Sequence, residues 1–170
     1  MDCPGWSSGR RPIAAIYHKA LSNTGERHYG ECVSPKNEKI ATIVERFRGQ
    51  DLDAHYLAFF DCFNQELFFE AHEVLEKLWL PQRDRAGGLF YKGLIQLAGA
   101  FVHLQKGRVQ PGTALLRLAR GNLSQYGPVH DRLDVSGLIK SIDLWLGKLD
   151  ANASTIALNP FSPPKLALMR

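Results

Sequence analysis

The sequence predicts an all-α fold: a compact bundle of about five to six helices with an extended C-terminal tail. Three observations predict it. Apolar residues recur with the 3.6-residue helical period in one segment after another between residues 38 and 149. Glycine and proline punctuate those segments instead of interrupting them. No stretch alternates apolar and polar residues as a half-buried strand does, and there is no internal repeat or low-complexity tract.

Residues 1–37 hold Gly5, Ser7, Ser8, Gly9, Pro12, Gly25, Gly30 and Pro35. They read as a poorly ordered N-terminal extension, in which Ile13 to Leu21 can form one short helix and His18 and His28 are surface residues. The helical domain is expected over 38–150. Its first helix, Glu38 to Arg48, carries Ile40, Ile43, Val44 and Phe47 on one face and ends at Gly49. Asp51 or Asp53 caps the next helix, which carries Tyr56, Leu57, Phe60 and Phe63. Asn64 with Gln65 marks a brief break. The helix Phe68–Trp79 follows and is stopped by Pro81.

A polar turn with Arg83, Asp84 and Arg85 leads to a long helix, Leu89–Lys106, closed by Gly107. Pro111 suits a first helical position, and that helix runs through Ala114, Leu115, Leu118 and Ala119 to Gly121. Gly127 and Pro128 mark a loop. Ser136 to Leu149 forms the last helix, with Leu138, Ile139, Ile142, Trp145 and Leu146 facing the core. Residues 151–170 contain Pro160, Pro163 and Pro164 and no helical run, so they are expected to lie extended against the bundle.

Composition narrows the class. At 170 residues with 45% apolar content the chain is long enough for one well-filled core. The net charge of +4 permits contact with nucleic acid or an acidic partner without diagnosing it. Cys3, Cys32 and Cys62 show no metal-type pairing and no disulfide framework, which fits a reducing cytosol and predicts a cytoplasmic protein. No apolar run approaches membrane-spanning length, and the N-terminus lacks the apolar core of a signal peptide.

The chemistry concentrates in two stretches, FNQELFFEAHEVLEKLW (63–79) and YKGLIQLAGAFVH (91–103). On a wheel, His72 falls about 40° from Phe68, inside the apolar arc of Ala71, Val74, Leu75, Leu78 and Trp79. Glu76 follows one turn later on the same face, and Glu73 lies at its margin. Glu70 and Lys77 point away and read as solvated. In the second stretch Leu94, Leu97, Ala98, Phe101 and Leu104 form a greasy stripe, while Lys92, Gln96 and His103 line the opposite side near Gly99. A glycine in a helix interior costs about 1 kcal/mol against alanine and is best tolerated where another backbone comes close. This polar side is therefore expected to meet protein, namely the helix that carries His72 and Glu76.

These two stretches resemble the signature of the domain-of-unknown-function family 309. Its pattern corresponds to Phe63, Asn64, Phe68, Phe69, Glu70, Ala71, His72, Glu73, Leu75, Glu76 and Trp79, then to Lys92, Gly93, Leu94, Ile95, Gln96 and His103. Gly112 and Ala114 are similar to a following segment, with Thr113 interposed. The resemblance extends over roughly residues 52–150. It implies a compact helical fold, similar to a small domain grouped with the helical region of hyaluronidases, and implies no activity.

Three functional readings follow. The first is a small-ligand or interaction module whose inter-helix pocket is lined by His72, Glu73, Glu76, Lys92, Gln96 and His103. The competing structural reading makes the same residues a satisfied buried network that sets helix register. The second is a metal-dependent hydrolase, with His72, Glu76 and His103 holding a divalent ion such as Zn²⁺ or Fe²⁺ and Glu73 as base. His72-Glu73-x-x-Glu76 departs from the zinc-protease pattern H-E-x-x-H at its second histidine. The third is nucleic-acid binding through Lys106, Arg108, Arg117, Arg120 and Arg132, against which a solvated cationic face is the simpler account. The row of phenylalanines (Phe59, Phe60, Phe63, Phe68 and Phe69) with Trp79 reads as core, or as the face of a homo-oligomer. His55 and His130 read as loop or cap residues.

Overall fold

The structure, a computed structural model, describes residues 35–151 and 163–169. The expectations for the N-terminal extension, its short helix, His18, His28, Cys3, Cys32 and Pro160 lie outside these residues. Six helices are present among them: α1 (Pro35–Glu45), α2 (Ala54–Asn64), α3 (Phe68–Trp79), α4 (Gly88–Gln105), α5 (Val109–Leu123) and α6 (Val135–Ala151). A single 3₁₀ turn, Leu80–Gln82, extends α3 as far as Pro81 allows. No described helix is long and apolar enough to cross a membrane.

Local chemistry explains the boundaries. Asp53 is the cap of α2, and its carboxylate accepts from the backbone N–H groups of His55 (2.8 Å) and Tyr56 (3.4 Å). The break between α2 and α3 closes on Cys62, whose carbonyl accepts from Leu67 N–H at 2.9 Å, with Glu66 in the left-handed region at φ 64. Gly107, at φ 67, ends α4 in the same way, where Arg108 N–H donates to the His103 carbonyl at 2.9 Å.

The core is aromatic. Phe59, Phe63 and Phe90 are fully buried, and Phe63, Phe68 and Phe101 meet with ring centroids 5.0–5.5 Å apart. Burial of each such ring stabilises by about 1.5–3 kcal/mol. Phe101 reaches on to Trp145 of α6 at 5.1 Å. Phe69 is the most exposed of the described phenylalanines, at 44%. Cys62 is buried as well, and burial pushes its thiol up to about 11.

The expectation of close backbone approach at α4 holds, but the partner differs. A Cβ added at Gly93 would stand 2.8 Å from Leu123 Cγ and 3.3 Å from the Ala119 carbonyl oxygen. One added at Gly112 would stand 2.8 Å from the Leu104 side chain and 3.2 Å from the Ala100 carbonyl oxygen. The start of α4 thus meets the end of α5, and the end of α4 meets its start, as two antiparallel helices joined by a short turn must. The small-residue side of α4 faces α5, not the helix that carries His72.

A second difference is a two-stranded antiparallel hairpin, Val129–His130 with Leu133–Asp134. Two residues per strand are too few to give alternation in sequence. Its turn residues, Asp131 and Arg132, have φ 44 and 61, as a type I′ turn requires. Tyr56 and Tyr91 hold the turn: Tyr56 Oη donates to the Asp131 carbonyl and Tyr91 Oη to its carboxylate, each at 3.0 Å. Residues 163–169 carry no helix and run beside this hairpin, with Leu168 bridging to Leu133.

Gly93→Ala is expected to destabilise the fold by about 1–3 kcal/mol, because the buried Leu123 must shift and the helix-propensity gain of about 1 kcal/mol is smaller. Gly147→Ala in α6, where an added Cβ meets nothing within 4 Å, should stabilise by up to about 1 kcal/mol. Urea denaturation of the two variants checks both signs.

Candidate functional site

Helix α3 buries Phe68, Ala71, His72, Val74 and Leu75. The sequence folds this way because those residues share one stripe of the helix and are the residues with least to lose by leaving water. His72 is carried inward with them and is only 8% exposed. Glu73 and Glu76 flank it, half-buried. One ligand atom from each of His72, Glu73 and Glu76 lies within 4.8 Å of the others. Nδ1 of His72 stands 3.7 Å from Oε1 of Glu73, and the two side chains are 10% and 16% exposed. Carboxylates held this far from water need a cation or hydrogen-bond donors around them.

Glu70, expected on the solvated side, instead reaches α1. Its Oε1 accepts from Lys39 Nζ at 2.6 Å, and its side chain is 19% exposed. Burial pushes its carboxyl up, but the hydrogen bond and charge of Lys39 outweigh that and hold it below the usual carboxylate range. Lys39 therefore neutralises one carboxylate of α3.

The six predicted residues do not form one seam. Gln96 turns toward α5, where its Oε1 accepts from Asn122 Nδ2 at 2.8 Å. It lies on the Gly93 side of α4, one turn further along, so the close packing against α5 draws it away from α3. Lys92 is half-buried and forms no ion pair with a described residue. His103 stands outside the His72–Glu73–Glu76 group, so Glu73 occupies the place expected of it as third donor. Its Nδ1 is buried with no hydrogen-bond partner. Desolvation, with the charges of Arg108 and Lys106, pushes its pKa down and favours the neutral ring.

Two features of the site were not legible as such. The indole Nε1 of Trp79 is buried and has no hydrogen-bond partner. Trp79 follows His72 by seven residues and Glu76 by three, which puts all three on one face of α3. Asn122 had no signal in sequence; only its position on the α5 face toward Gly93 makes it the partner of Gln96.

The basic stretch 106–132 is not a bare cationic face. Arg117 pairs with Asp150 (2.9 Å), Arg120 with Asp143 (2.5 Å) and Arg132 with Asp51 (2.6 Å). These acidic partners lie outside the stretch in sequence, so a count of its charges overstates the field it presents.

Residues 56–115 match the family model described as domain of unknown function (DUF309). This segment is similar to that family, and the match covers about a third of the chain. It runs from Tyr56 on α2 to Leu115 on α5 and contains Asn64, the His72–Glu73–Glu76 group and all of α4. It is shorter than the span over which the motifs resemble the family, and the hairpin and α6 lie beyond it. No curated protein and no solved structure matches the chain.

The His103 ring should make the fold sensitive to acid. Its folded pKa lies below the unfolded one, so the unfolded chain binds the proton more readily. The stability it contributes is present at neutral pH and is lost as pH falls below the unfolded value of about 6.5 and on through the lower folded one. Urea denaturation at pH 7 and pH 5 should show a larger loss for wild type than for His103→Gln; equal losses would show that the folded ring accepts the proton as easily as the unfolded one.

Proposed function

We propose that this helical domain binds a divalent metal ion through His72, Glu73 and Glu76. The observation that carries the reading is the convergence of one imidazole nitrogen and two carboxylate oxygens to within 4.8 Å on a largely buried face. Bonds of about 2.0–2.2 Å in tetrahedral geometry set donor atoms about 3.3–3.6 Å apart, so binding draws the two carboxylates inward by rotation of their side chains. A mixed imidazole–carboxylate set favours Zn²⁺, Fe²⁺ or Mn²⁺ over Ca²⁺ or Mg²⁺.

The neighbouring groups fit this role. His72 offers one ring nitrogen as lone-pair donor and can use the other as a hydrogen-bond donor that fixes the ring. The unpartnered N–H of Trp79 lies on the same helix face and is able to donate to an anion or water beside the ion. Three protein donors leave coordination positions open, as sites that exchange water or bind a small ligand do. Since Glu73 serves here as a donor, it is not left over as the base of a hydrolase, and the favoured role is metal-dependent ligand binding.

Calorimetric titration of metal-stripped protein with Zn²⁺ and Mn²⁺ tests this. About one ion should bind per chain and raise the melting temperature by mass action. His72→Ala and Glu76→Gln should each weaken binding about a hundredfold or more, while His55→Ala, at a helix cap, should leave it unchanged. Absence of binding, or binding indifferent to Glu76→Gln, would refute the site.

A further inference from the structure

The most built contact outside α3 is made by the C-terminal segment. The Asn64 side chain, at the last position of α2, engages both main-chain polar groups of Leu166. Its Nδ2 donates to the Leu166 carbonyl at 2.7 Å, and its Oδ1 accepts from Leu166 N–H at 2.8 Å. Nζ of Lys165 donates to the Asn64 backbone carbonyl at 2.5 Å. Further along, Met169 N–H donates to the Arg132 carbonyl at 2.7 Å, and Leu168 bridges to Leu133 as an added antiparallel strand. Four of these five contacts engage the backbone of the segment.

The side chains alternate as those of a bound strand do. Leu166 is buried at 6% exposure and Leu168 is half-buried, whereas Lys165, Ala167 and Met169 face out. Main-chain hydrogen bonds combined with pockets for alternate side chains are the physics of peptide recognition by strand addition. The segment does not fill its groove: a cavity of about 330 Å³ remains between it and Leu133, Asp134, Gly137, Leu138 and Ser141.

We propose that residues 163–169 are a peptide ligand of this domain, bound in a groove between Asn64 and the β-hairpin, and that the same groove accepts this segment from a second copy of the chain. The contacts are set by backbone geometry and two leucines, so an identical segment presents the identical surface whichever copy supplies it. Eleven residues, 152–162, join the segment to α6. Eleven residues can span at most about 36–40 Å. Exchange of one element between copies then needs no new interface. Asn64 is the specificity-determining residue. An aspartate there would keep the acceptor, lose the donor and set a charge against the Leu166 carbonyl.

Fluorescence anisotropy with a labelled synthetic peptide of residues 163–170 tests the groove. In the full-length Leu166→Asp variant the chain's own segment is disabled, while every groove residue is native. The peptide should bind this variant saturably and wild type at least about tenfold more weakly, because a tethered competitor acts at high effective concentration. Adding Asn64→Ala to Leu166→Asp should weaken binding at least about tenfold. No binding to folded Leu166→Asp protein, or binding unaffected by Asn64→Ala, overturns the proposal. Hydrogen exchange on the wild-type chain gives an independent reading should Leu166→Asp fail to fold. The Leu166 and Met169 amides should open well before those of Leu94 and Leu97 in α4, and exchange in step with α4 would make the segment a fixed part of the fold.

Discussion

The backbone contact between α4 and α5 sets the position of everything else. Gly93 and Gly112 let the two helices approach until Leu123 and Leu104 occupy the space where side chains would stand. A helix fixed this closely on one side has no freedom to rotate. Phe101, about 80° round the helix from Gly93, is then aimed toward α3 and α6. Phe101 meets Phe63, Phe68 and Trp145 at 5.0–5.5 Å. Phe68 lies one turn before His72 on α3, so the same stack that closes the core also decides that His72 is carried inward. A looser α4–α5 contact would let Phe101 and Phe68 slide, and the ionisable face of α3 would lose its burial.

That burial gives the charges of this molecule unequal weight. The pairs Arg117–Asp150 and Arg120–Asp143 are about half exposed on both partners, and such pairs contribute about 0–1 kcal/mol. They shape the surface more than they stabilise it. The carboxylates of α3 are in a different position. Glu70 has Lys39 from α1, and Glu73 and Glu76 share one largely buried face with a histidine. A helix designed only for packing would carry leucine or alanine there. Three ionisable groups gathered on a core-bordering face make this the candidate site rather than the larger number of charges elsewhere.

How much of this was legible in the sequence follows from the range of each interaction. All six described helices are readable because apolar period, caps and Gly/Pro stops are local. Asp53, Gly107 and Pro81 each mark an end through chemistry contained within a few residues. His72 with Glu76 is equally local, since one turn of helix fixes their shared face. The identity of the partner face is not. Gly93 correctly signals that a backbone comes near, yet nothing in the composition of α4 says which helix supplies it. With α5 only three residues away in chain, the antiparallel helical hairpin wins over the more distant α3, and Gln96 goes with it to Asn122. The Asp131–Arg132 turn escaped for a similar reason. Two non-glycine residues at positive φ carry no sequence signal, and the hydroxyls that hold them belong to Tyr56 and Tyr91, at least 40 residues away.

Asn64 shows the same limit from the other side. In sequence it reads as the break between two helices, and it does end α2. The break has a second consequence, because the Asn64 side chain at the end of α2 bonds Leu166 through both of its amide groups. An asparagine amide offers one donor and one acceptor side by side, in the arrangement of a strand edge. The position that starts α3 in the orientation needed to bury His72 is therefore also the position that grips Leu166. Any change that straightened the 64–67 turn would move both the cluster on α3 and the groove for residues 163–169, which ties both to one short piece of backbone.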